Sequence, residues 1–108
     1  MQYVEIPPAK QPPPGGRALW HVDGLVIALF NVDGVLYAIE DSCPHAGSSL
    51  FGGKLEGRTV QCRAHGLRFD LATGCIPGIR DFRVRTYPIE MREDRAFIGL
   101  PEPARQAC

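Results

Sequence analysis

Charge of neither sign is in excess. Lys plus Arg and Asp plus Glu stand at 12 each, so the composition gives no reason to expect nucleic acid or an anionic membrane surface as a partner. Long apolar runs are missing too, and none approaches the roughly 20 residues of a membrane span. The N-terminal MQYVEIPPAK has neither a basic n-region nor an apolar h-region, which predicts a cytoplasmic protein. No G-x-G-x-x-G follows a predicted strand, so unaided oxidation of a nicotinamide nucleotide is not expected. Histidine is scarce, with 3 in 108 residues. Helical periodicity is absent from every window of about a dozen residues.

What is present is short apolar runs punctuated by Gly 12 and Pro 10, the pattern of an all-β chain built from short antiparallel strands. At 108 residues and 44% hydrophobic, the chain has enough apolar side chains for one domain, taken as 1–100 with a frayed polar tail over 101–108. Tyr3–Ile6 reads as an edge strand ended by Pro7 and Pro8, and Ala9–Gly16 as a surface loop. Arg17–Val22 and Leu25–Asn31 form a predicted hairpin about Asp23-Gly24, and Val35–Glu40 follows a second turn at Asp33-Gly34. A small hairpin of Lys54-Leu55 and Thr59–Gln61 turns at Glu56-Gly57-Arg58. Arg68–Leu71 leads to a turn at Ala72-Thr73-Gly74. An irregular segment through Pro77-Gly78 then precedes closing strands at about Arg85–Arg92 and Ala96–Gly99.

The chemistry is concentrated in two short loops. Cys43-Pro44-His45 is followed, after 16 residues, by Cys62-Arg63-Ala64-His65. Two thiolates and two imidazoles make a metal site, and without a secretory signal this is a better use of the cysteines than a disulfide framework. Each loop supplies one sulfur and one nitrogen, the arrangement needed to hold two different irons, one by both cysteines and the other by both histidines. Tetrahedral zinc is the chemical rival, although zinc sites usually pair their ligands as C-x2-4-C and H-x3-5-H. A coloured protein separates iron-sulfur from zinc. Pro44 restricts the backbone between two ligands, while Gly47 and Gly66 allow dihedrals and close approaches that a side chain would block.

The pattern C-x-H-x16-C-x2-H, with Gly47 and Gly66 behind the two pairs, resembles the Rieske family. The stretch from Asp41-Ser-Cys-Pro-His-Ala-Gly to Cys62-Arg-Ala-His-Gly-Leu-Arg-Phe-Asp-Leu-Ala-Thr-Gly74 looks like the ferredoxin components of bacterial aromatic-ring dioxygenases. The resemblance runs from Tyr3 to about Leu100. It implies an antiparallel base domain made from both chain ends, with a cluster-binding subdomain inserted over about 43–73. It also implies one [2Fe-2S] cluster, with Cys43 and Cys62 on the buried iron and His45 and His65 on the outer one. The expected function is a soluble shuttle, not itself an enzyme. It carries single electrons from a flavin-containing NAD(P)H ferredoxin reductase to a terminal aromatic-ring-hydroxylating oxygenase. Once two histidines serve the cluster only His21 remains, too few for the two-histidine, one-carboxylate iron of an oxygenase. A reading of another class is the Rieske-like small subunit of a nitrite reductase, a family that often lacks the ligands present here.

The resemblance also implies a potential. High-potential Rieske proteins of respiratory complexes carry a disulfide between the ligand loops, where this chain has Ser48 and Ala64. They also carry a serine and a tyrosine where it has Leu67 and Phe69. Rieske potentials span roughly −150 to +300 mV, about 10 kcal/mol of differential stabilisation of the reduced state. Without those hydroxyl donors a low-potential centre is expected. Among the other candidates, Cys75 is expected to be a small buried residue and Cys108 a tail residue. Trp20 reads as core and His21 as a structural or exposed histidine. Arg63 and Arg68 read either as tuning groups or, at least as readily, as solvated arginines.

Overall fold

The computed structural model describes residues 2–41, 49–62, 66–76 and 79–100. Among them the chain forms short strands in the order β1 (Gln2–Glu5), β2 (Arg17–Val22), β3 (Leu25–Val32), β4 (Val35–Glu40), β5 (Lys54–Glu56) and β6 (Thr59–Gln61). These are followed by β7 (Arg68–Asp70), β8 (Cys75–Ile76), β9 (Ile79–Arg83), β10 (Thr86–Tyr87), β11 (Ile89–Arg92) and β12 (Arg95–Leu100), with one 3-10 turn at Pro8–Lys10. Every ladder is antiparallel. The expected all-β class is what the chain adopts.

The organising element is β3. Strands with one wet face alternate apolar and polar residues, but Ile27, Ala28, Leu29 and Phe30 are all fully buried, so β3 is covered on both faces. It lies inside a four-stranded sheet of order β10-β4-β3-β2. On one face Ile27 and Leu29 pack with Trp20, Ala38 and Tyr87 against Ile6, Ala96, Ile98 and Leu100. Those last three belong to β12, the central strand of the sheet β1-β12-β11. On the other face Ala28, Phe30 and Ile39 pack with Leu50, Val60, Cys62, Phe69, Leu71, Ile76 and Val84. Val60 and Phe69 are cross-strand partners in the third sheet, β5-β6-β7. Each fully buried Leu, Ile or Phe contributes about 1.5–3 kcal/mol relative to exposure, so this shared wall holds two cores at once.

The two turns of the β2-β3-β4 meander are left-handed at both central positions. Asp23 and Gly24 have φ of 50° and 76°, and Asp33 and Gly34 of 54° and 89°, the twist-matched geometry that Asp-Gly favours. Asn31, the buried polar residue of β3, is satisfied by donating to Pro12 O and accepting from the Gly34 N–H.

The closing strands depart from expectation. Arg85–Arg92 is not one strand, because Pro88 has no N–H to give to a ladder and the chain changes sheet there. Before it, Thr86 and Tyr87 pair with Ile39 and Ala38; after it, Ile89–Arg92 pair with Ile98–Arg95. The segment expected to be irregular contains a ladder between Cys75–Ile76 and Ile79–Arg83, with a register irregularity between Cys75 and Ile76. The first strand begins at Gln2 and stops at Glu5, leaving Ile6 outside it but fully buried.

Candidate metal centre

The two stretches that carry the candidate ligands interrupt the described wall at two points. The first departs after β4, and its residues Cys43, His45, Gly47 and Ser48 lie outside the described residues. The second departs after β6, and Arg63, Ala64 and His65 also lie outside them. Of the four predicted ligands, Cys62 is therefore the one whose surroundings are described. Among the described residues no three His, Cys, Asp or Glu side chains converge.

Cys62 is fully buried in the core beside β6. It forms no disulfide. Its N–H donates to Leu67 O at 2.7 Å and its carbonyl accepts from the Gly66 N–H at 2.8 Å. These two bonds tie together the described residues on either side of 63–65. Gly66 makes that closure possible, since its φ of 70° is a conformation that side chains rarely take. Gln61, the residue before Cys62, adds a third closure by donating from Nε2 to Gly66 O at 3.1 Å.

The first loop is closed in an analogous way. Asp41 follows β4 directly, and its N–H donates to Val26 O at 2.9 Å. Its Oδ1 accepts the N–H groups of Leu50 and Phe51 at 2.8 and 2.7 Å, and its Oδ2 accepts the Ser49 hydroxyl at 2.7 Å. From β2, Arg17 Nη1 donates to Phe51 O and Gly53 O at 2.7 and 2.8 Å. The Arg17 guanidinium also lies 5.3 Å over the Phe30 ring, a favourable cation–π placement.

The feet of the two loops touch. A Cβ at Gly53 would collide with the Gln61 carbonyl and press on Val60 Cγ2, so the backbone that ends the first loop lies against the backbone that begins the second. Leu50 and Cys62 share one apolar cluster. A donor set of two thiolates and two imidazoles, one thiol fully buried in apolar surroundings and both loops rooted side by side, fits a [2Fe-2S] cluster with sulfur ligands inward.

The remaining candidates are placed as follows. Trp20 is core at 8% exposure, as expected, and His21 is exposed on β2. Cys75 is half-buried, not buried, with Sγ turned to Thr73 O at 3.7 Å; its position in a two-residue strand at the margin of the core accounts for the difference. Cys108 and Arg63 lie outside the described residues. Arg68 is a solvated arginine, paired with Glu56 at 3.1 Å, and Glu56 also meets Lys54 at 3.6 Å. Leu67 is half-buried and Phe69 fully buried, so neither position offers a hydroxyl.

Asp70 ends β7 beside this sheet. Burial pushes its carboxyl up, but the Ala72 N–H, the Arg58 guanidinium at 3.0 Å and the Thr73 N–H outweigh that and hold it below the usual carboxylate range. On the wall itself, Tyr87 is 5% exposed and its hydroxyl has no hydrogen-bond partner among the described residues. Burial, assisted by the nearby Glu40 carboxylate, raises its pKa above the ordinary 10.0. The roles of Asp41 and Arg17 were not legible from spacing. Asp41 did stand in the motif stretch, two residues before Cys43.

Comparison with known proteins follows the same lines. The family described as the Rieske [2Fe-2S] domain matches residues 2–88. The 3-phenylpropionate/cinnamic acid dioxygenase ferredoxin subunit of Shigella boydii serotype 4 is 43% identical over 93 residues, covering 82% of this chain and 86% of that one. The ferredoxin component of the naphthalene 1,2-dioxygenase/salicylate 5-hydroxylase systems of Ralstonia sp. is 38% identical over 82 residues, covering 73% and 77%. Among solved structures, a chain in the complex of reduced oxygenase and oxidised ferredoxin of carbazole 1,9a-dioxygenase superposes with a TM-score of 0.75 at 25% identity, covering 90% of this chain and 92% of that one.

Proposed function

We propose, for a chain that belongs to the Rieske [2Fe-2S] domain family and carries one such cluster, that Cys43, His45, Cys62 and His65 are the four ligands. The observation that carries this assignment is the contact between the feet of the two loops, where Gly53 lies against Gln61. Cysteine thiolates are the inner pair, in keeping with the burial of Cys62. The two histidines are the outer pair.

The protein is an electron-transfer component of an oxygenase system, not a catalyst. When bound, the cluster supplies reversible one-electron chemistry. The protein's own residues root the ligand loops on a packed wall, keep water from the thiolate side through Leu50, Phe69 and Leu71, and leave no hydroxyl at positions 67 and 69 to stabilise added negative charge. That last feature supports a potential at the low end of the Rieske range. The electron donor is a flavin-containing NAD(P)H ferredoxin reductase and the acceptor an aromatic-ring-hydroxylating terminal oxygenase, met in turn through small, transient contacts. No helix among the described residues is long and apolar enough to cross a membrane, in keeping with action in the cytoplasm.

Reconstitution tests this reading. The purified protein is expected to be reddish-brown, to give a Rieske-type electron paramagnetic resonance (EPR) signal on reduction, and to restore substrate hydroxylation with such a reductase and oxygenase. His45→Ala and His65→Ala are each expected to abolish the EPR signal and the hydroxylation, and His21→Ala neither. A colourless protein with stoichiometric zinc would overturn the cluster assignment. A stable complex with a large catalytic chain would overturn the shuttle.

A further inference from the structure

We propose that Asp41 is the positioning residue of the first ligand loop, setting where Cys43 and His45 stand relative to Cys62. The inference rests on the ligand assignment above. The chain leaves the wall at Asp41 and returns at Ser49, and one carboxylate spans that opening. Its backbone is anchored to β3 through Val26 O at 2.9 Å. Its two oxygens take the Leu50 and Phe51 N–H groups and the Ser49 hydroxyl, all within 2.8 Å.

Hydrogen bonds to an ionised acceptor are short and strong, and two of these go to adjacent backbone amides, which fixes direction as well as distance. Phe51 is held from the other side as well, because Arg17 takes its carbonyl at 2.7 Å. The re-entry point therefore has no slack. Geometry at the mouth of so short a loop is inherited by what it carries, since residues 42–48 have little length in which to absorb a shift. At the second loop Gln61 adds one side-chain bond to Gly66 O beside the two backbone bonds of Cys62, so the side-chain fastening is concentrated on the first loop.

The test compares Asp41→Ala with Asp41→Asn, each purified with its cluster. Asparagine keeps the acceptor for both amides and offers its NH2 to the Ser49 oxygen, so it is the rescue. For Asp41→Ala, release of iron to a chelator, well below the unfolding temperature, is expected to be about tenfold faster or more. Shifted EPR g-values and a changed visible circular dichroism spectrum are expected with it. Asp41→Asn is expected to keep the parent spectra and release rate. Should Asp41→Ala fail to fold, Asp41→Glu substitutes for it: it keeps the charge but displaces the acceptor by one methylene, and about threefold faster release with altered g-values is expected.

A purely structural role would lower the melting temperature while the folded fraction kept the parent spectra and release rate, and that result overturns the proposal. Equal changes in Asp41→Asn and Asp41→Ala would overturn it in favour of a charge effect. Failure of the ligand assignment looks different: the parent protein lacks the Rieske signal, or His45→Ala retains it.

Discussion

Arg17 and Phe51, 34 residues apart in the chain, are joined by a 2.7 Å hydrogen bond from the guanidinium to the carbonyl. The same nitrogen takes Gly53 O at 2.8 Å. An arginine on β2, remote from both cysteines, thus holds the segment on which the first ligand loop lands. Arg17→Ala would leave two half-buried carbonyls without their donor and is expected to cost about 1–3 kcal/mol. A fall in urea midpoint at unchanged slope checks it.

Tyr87 predicts an alkaline limb. Its pKa is raised by burial, so the unfolded chain loses the phenolic proton at a pH where the folded chain keeps it. Its contribution is fully present below about pH 10 and is lost as pH rises through the folded value. Tyr87→Phe removes a hydroxyl that has no partner among the described residues, so near neutral pH it is expected to change stability by less than about 1 kcal/mol or to raise it. Melting temperatures of the two proteins from pH 7 to 11 should diverge above about 10, with the variant flatter.

Glycines 24 and 74 share a left-handed backbone, with φ of 76° and 78°, but not a neighbourhood. A Cβ at Gly24 meets open space, whereas at Gly74 it would collide with the Val84 carbonyl. Gly24→Ala is expected to cost about 1–2 kcal/mol of conformational strain, and Gly74→Ala about 1–3 kcal/mol more for the overpacking. Denaturation midpoints of the two variants, measured side by side, check the ranking.

The cluster's midpoint potential is expected below zero. Leu67→Ser, which introduces a hydroxyl two residues after His65, is expected to raise it by about 65–130 mV, the worth of one hydrogen bond to a charged group. Film voltammetry of both proteins measures the difference, and an unchanged potential would mean that position 67 does not reach the cluster.

Much of this fold was readable before the structure because local chemistry decides it. Asp23-Gly24 and Asp33-Gly34 announce their turns, and β2, β4 and β6 fall where alternation and punctuation put them. The break at Pro88 and the ladder across Pro77-Gly78 were harder, since strands of two residues carry no period to detect. The turn at Glu93-Asp94 is left-handed without any glycine, at φ of 47° and 66°, so its punctuation is silent. At the centre, the proposed ligand pairs stand out in the sequence because their spacing is local. The grip of Asp41 and Arg17 was not legible there, because a carboxylate and a guanidinium look solvated until folding supplies carbonyls and amides from 9 to 36 residues away.

The contact of Gly53 with the Gln61 carbonyl has a kinetic meaning. Two loops rooted backbone against backbone on a close-packed wall have little room to relax when charge arrives or leaves. For the proposed cluster the expected consequence is a small nuclear rearrangement with each electron, and so a low inner reorganisation energy in both directions. Electron delivery to the oxygenase is then expected to be paced by encounter and driving force, with little delay added by the carrier itself.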